Sequence, residues 1–111
     1  MADDDHDRIH REFGEAVNMT PRQIEDFLET EDSHRVGQKP DGGGESIGHA
    51  SGRRIVEIKR KTKADLTEAD YAHMKKVVSY VARHSAQGPK GDKADSDWRY
   101  SLMNWGHDPL K

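Results

Sequence analysis

The stretch LTEADYAHMKKVVSYVARHSAQGP, Leu66 to Pro89, constrains the fold more than any other part of the chain. Tyr71, Met74, Val77, Val78 and Val81 recur at the spacing of one face of a helix. Thr67 supplies an N-cap, Asp70 follows three residues later, and Gly88-Pro89 ends the pattern after Gln87. A helix over 67–87 with a single apolar stripe cannot stand alone, so the rest of the chain must supply partners for it.

Those partners read as helices too. Over Asp5 to Val17, Ile9, Phe13, Ala16 and Val17 fall at i, i+4, i+7 and i+8, and Asp3, Asp4 and Asp5 favour a helix N-terminus there. A second helix starts at Thr20 as N-cap, with Pro21 at its first position and Gln23 closing a capping box. Ile24, Phe27 and Leu28 give it one apolar face. With only Asn18-Met19 between them, these two helices are expected to form an αα-hairpin. A third runs over Ser51 to Thr62. Ser96 begins a short last helix in which Trp98, Leu102 and Trp105 share a face and dock the tail, and Gly106 and Pro109 end it.

Between these elements the chain breaks. Ser33 to Ala50 carries Pro40 and the run Gly42-Gly43-Gly44, and reads as a long loop. A phosphate-binding loop would need Lys followed by Ser or Thr after the glycines, whereas Glu45-Ser46 stands here. Gly88 to Asp95 reads as a polar linker. No run alternates like a strand and no segment repeats. The expected fold is therefore all-α and a single domain over 1–111, with residues 1–6 frayed. It comprises an N-terminal helical hairpin, a long Gly-rich loop, two central helices and a short C-terminal docking helix.

Composition limits what such a domain does. With 32% hydrophobic and 35% charged residues among 111, the core must be small. The absence of cysteine excludes disulfides, thiolate metal sites and cysteine nucleophiles, and suits a reducing compartment. No apolar run approaches the roughly 18 residues that a membrane span needs. The start, MADDDHDR, has no apolar segment of the kind a secretory signal carries. The expectation is a cytoplasmic protein without a membrane partner.

Charge is unevenly spread. Residues 1–32 hold 11 acids and 3 bases, and residues 53–93 hold 11 bases and 5 acids, within a net charge of −3. Such separation points to an interaction surface or to pairing between the two halves. On the helix over 51–62, Ile55, Ile58 and Thr62 point one way. Arg53, Arg54, Glu57, Arg60 and Lys61 point the other, with Lys59 and Lys63 on the flank. On the 67–87 helix, Lys75, Lys76, Ser79 and Arg83 lie opposite the apolar stripe. A short turn joins the two helices, so they are expected to pack as neighbours and merge their basic faces.

That surface has three readings. Nucleic-acid phosphates, held by Arg53, Arg54, Arg60, Lys61, Lys63, Lys75, Lys76 and Arg83 with little sequence preference, make the leading one. An acidic protein partner, a second copy of the chain or internal pairing is the runner-up. An ordinary solvated face is the bland alternative, opposed by six bases to one acid over 53–63. His73, Tyr80 and His84, at i, i+7 and i+11, form a ridge that marks a core boundary more readily than a base-stacking surface. His6 and His10 are spaced i, i+4 but lack the central Glu of the zinc protease motif, so no metal is assigned. No catalytic constellation stands at a persuasive spacing. The expectation is a non-enzyme without a cofactor.

Three stretches, GESIGHASGRRIVEIKRK, ADLTEADYAHMKKVVSYVARH and WRYSLMNWGHDPLK, together resemble the family called domain of unknown function 3140, small and mainly bacterial proteins. The resemblance extends from about Thr20 to Lys111. Members are sometimes labelled DNA-binding, so it implies DNA as the polyanion and a bacterial source. It assigns no role to any residue.

Overall fold

The computed structural model describes residues 2–36, 46–88, 91 and 96–111. Among these the fold is all-α: α1 (Ala2–Ala16), α2 (Pro21–Leu28), α3 (Glu31–Arg35), α4 (Ile47–Arg60), a 3-10 turn (Lys63–Asp65), α5 (Glu68–Ser85) and α6 (Asp97–Asn104). None of the described helices is long and apolar enough to cross a membrane.

Local chemistry sets the boundaries. Thr20 accepts from the Gln23 N–H at 3.1 Å while the Gln23 side chain accepts from the Thr20 N–H at 2.9 Å, the reciprocal capping box expected at α2. Thr67 and Asp70 make the same pair of bonds at α5. At its far end α6 closes with the His107 N–H donating to the Leu102 carbonyl and the Gly106 N–H to Met103. Gly106 sits at φ +79°, and a Cβ there would lie 2.8 Å from Val17 Cγ1, so this turn needs glycine twice over.

The helices pair differently from the sequence expectation. α1 packs mainly on α5, and α2 mainly on α4. Neither the hairpin expected of the first two helices nor the side-by-side packing expected of α4 and α5 organises the core. The reason is burial: Ile24, Ile55, Met74, Val77 and Leu102 are fully buried in one cluster, and α6 joins it by touching α2, α3, α4 and α5. The expected docking of the tail holds, with Leu102 fully buried and Trp105 4% exposed. Beyond α6, Asn18 and Asp108 exchange two hydrogen bonds, 2.8 and 3.0 Å, which tie the C-terminal segment to the link between α1 and α2.

Both ends of the loop expected over 33–50 are helical, in α3 and α4. Thr30 caps α3, accepting from the Ser33 N–H at 3.2 Å, and buried Ser33 bonds to the Asn104 amide. Ser46 caps α4 by accepting from the His49 N–H at 3.0 Å, so that helix starts at Ile47 rather than Ser51. Its first turns are rich in glycine because they lie close to α6 and α2. A Cβ on Gly52 would come within 2.6 Å of the Asn104 carbonyl. Pro40 and Gly42 to Gly44 lie outside the described residues, as does most of the 88–95 linker.

Candidate nucleic-acid interface

The eight basic side chains divide into two groups. On α4, Arg54 donates to Asp70 Oδ1 at 3.2 Å and Lys61, just past the helix end, to Asp70 Oδ2 at 2.7 Å. Asp70 is 3% exposed and also accepts the Thr67 N–H. The Lys61 hydrogen bond, then the Thr67 backbone, hold its carboxyl down to about 2. Arg60 grips Glu25 of α2 with two hydrogen bonds, 2.9 and 2.6 Å. Lys63 pairs with Asp7 of α1, which lowers the Asp7 pKa and raises that of Lys63. Arg53 is exposed on α4 and has an interaction of its own. The 53–63 segment is thus a hub of internal ion pairs, fed by acids of α1, α2 and α5.

Lys75, Lys76 and Arg83 form the second group. All three are exposed on the solvent face of α5, and none has a carboxylate partner among the described residues. Arg83 donates its Nε–H to the Ser79 carbonyl at 3.3 Å. The signal was available in the sequence, since no Asp or Glu stands between Asp70 and Asp92. Arg54 and Lys76 line one shallow pocket together, so the expected merged surface is a paired hub beside an unpaired row.

The histidine ridge closes on Trp105. His73 stacks on the indole at 6.2 Å between centroids, Tyr80 on the same indole at 4.2 Å, and His84 on Tyr80 at 5.1 Å. Faces that would receive a base are occupied by neighbouring rings, which supports the core-boundary reading. Burial pushes the His73 and His84 pKa values down, and Arg54 adds to the effect at His73. His6 stacks on Tyr71 at 3.9 Å and places Nε2 3.0 Å from Glu68, joining α1 to α5. Among the described residues no group of three or more His, Asp or Glu is placed to hold a metal ion.

One feature escaped sequence reasoning. A cleft of about 330 Å³ opens between the start of α4, the middle of α5 and α6, with Lys76 and Arg83 on one wall and Gly48 and Trp105 on the other. Among the described residues no carboxylate lines it. It depends on α6 folding back across α5, a contact between segments that periodicity alone does not relate.

Searches of curated proteins and of solved structures returned no match. A protein-family profile matches residues 12–103, spanning α2 to α5 entirely, the last five residues of α1 and all but the last residue of α6. The chain therefore belongs to the family described as "Protein of unknown function (DUF3140)".

Proposed function

We propose that this protein binds the phosphate backbone of nucleic acid, DNA first, through the exposed face of α5. The observation that carries the reading is the row Lys75, Lys76 and Arg83, three exposed cations without a carboxylate partner among the described residues. Arg54, Arg60, Lys61 and Lys63 are held by internal acids and join only if those pairs open, and Arg53, exposed on α4, also has an interaction of its own. Backbone contacts of this kind position a protein without reading sequence, so preference among sequences is low. The activity is binding without a cofactor, in a cytoplasmic setting that the cysteine-free chain suits.

A salt titration tests this. Three phosphate contacts give a log–log slope of affinity against salt of about −2.7 on duplex DNA, taking about −0.9 per contact. Replacing Lys75, Lys76 and Arg83 with Gln flattens the slope on unrelated sequences alike. An intact protein that binds neither DNA nor RNA at low salt sinks the proposal. The second reading, an acidic protein segment as partner, would then take its place. Its support is that Arg60 and Lys63 already grip carboxylates of this chain and would exchange them for a partner's.

A further inference from the structure

We infer that the cleft between the start of α4, the middle of α5 and α6 is a binding site for a phosphate monoester. Its chemistry is one-sided. Lys76 and Arg83 stand on its α5 wall, two turns apart, and both lack a carboxylate partner among the described residues. The opposite wall is the N-terminus of α4, a 14-residue helix. There Ser46 satisfies the N–H of His49 and its carbonyl that of Ala50, leaving the N–H groups of Ile47 and Gly48 without an acceptor among the described residues.

Trp105 supplies the independent observation. Its side chain belongs to the core, the residue being only 4% exposed, yet its indole N–H opens onto this cleft without a hydrogen-bond acceptor among the described residues. An indole N–H at the open edge of an otherwise buried ring is available to donate to a ligand. That of the other tryptophan is engaged, Trp98 donating to the His84 carbonyl at 2.8 Å. A Cβ on Gly48 would lie 3.2 Å from Trp105 Nε1, so the glycine keeps the indole edge open to a ligand.

Donors from three elements thus converge where no carboxylate of the described residues intrudes. Two cations, an indole N–H and a helix N-terminus match a dianion; a single carboxylate would leave one cation uncompensated. Arg and Lys are the usual phosphate pair, one forked and one a point charge. A cleft of about 330 Å³ is also larger than the phosphoryl group alone, so the ester's carbon part enters with it. The indole face is already engaged by stacking with His73 and Tyr80. Recognition falls on the phosphoryl group.

The two indole N–H signals of the intact protein in a ¹H–¹⁵N spectrum provide the test. The probes are inorganic phosphate, ribose 5-phosphate, and one oligodeoxynucleotide with and without a 5′-phosphate, with chloride at matched ionic strength as control. The Trp105 signal shifts saturably with the phosphate probes and not with chloride, while that of Trp98 stays. Lys76→Gln and Arg83→Gln each weaken the binding by at least about tenfold, about 1.4 kcal/mol. Gly48→Ala weakens it while leaving duplex DNA affinity unchanged, and Lys75→Gln does the reverse, which separates this site from the backbone-binding face. Ribose 5-phosphate acting alone assigns the site to free small esters; a gain specific to the 5′-phosphorylated strand assigns it to strand ends. No saturable shift of Trp105 with any phosphate probe overturns the inference, as does a shift that survives both cation replacements.

Discussion

Asp70 combines three tasks in one buried carboxylate. It closes the capping box of α5, anchors Arg54 from mid-α4 and anchors Lys61 from the α4 exit. Its pKa falls from an ordinary 3.8 to about 2 on folding, so the stability it provides is complete above 3.8 and disappears as pH falls towards 2. Asp70→Asn therefore lowers stability at neutral pH by about 1.5–3 kcal/mol, the range for hydrogen bonds to a charged group. Urea denaturation of both proteins across pH shows the gap narrowing from about pH 4 to about 2. A gap that stays constant would place the cost elsewhere. Gly52 makes an opposite-signed case. Glycine within a helix normally gains up to about 1 kcal/mol on replacement by alanine. Here the new Cβ would meet the Asn104 carbonyl at 2.6 Å and Leu28 Cδ2 at 2.8 Å. Backbone cannot swing aside as a side-chain tip does, so Gly52→Ala costs about 1–3 kcal/mol. A higher melting temperature in the variant would contradict that.

Elements were legible wherever their signal was local. The capping boxes at Thr20 and Thr67 and the stripe from Tyr71 to Val81 are written in consecutive residues, and the structure keeps them. Two kinds of information were not local. The first turn of α4, Ile47 to Ala50, reads as loop because it follows the glycine run and holds Gly48, whose closeness to Asn104 and Trp105 of the distant C-terminal segment is what accounts for that glycine. Helix pairing was also hidden, since α1 meets α5 across about fifty intervening residues. The same holds for the candidate site. The basic residues were visible, but their acid partners were not: Arg60 and Glu25 are 35 positions apart, Lys63 and Asp7 56. The element that binds these distant pieces together is α6. Trp105 at its end is buried between α4 and the α5 rings, so Trp105→Ala removes about 3–5 kcal/mol of stability. Thermal unfolding followed by circular dichroism measures it, and an unchanged midpoint would mean that α6 does not hold the helices together.

At the scale of the whole molecule, the acidic first third and the basic middle are two sides of one charge arrangement. α1 lends Asp7 to Lys63 and α2 lends Glu25 to Arg60, so part of the basic potential is cancelled at short range before any partner arrives. Both pairs are more than two-fifths exposed on each side, and pairs of that kind contribute little to stability. Their larger effect falls on what the cations are free to meet. If the α5 face binds phosphate backbone as proposed, Asp7→Asn with Glu25→Gln releases two further cations towards the ligand. The salt slope on duplex DNA then steepens by about 1.8, two contacts at about 0.9 each, while the melting temperature hardly moves. Arg60→Gln and Lys63→Gln added to the same variant return the slope to its starting value, which separates released contacts from a general rise in net charge. A slope that steepens equally with and without Arg60 and Lys63 would show that overall charge, not these two pairs, governs the binding.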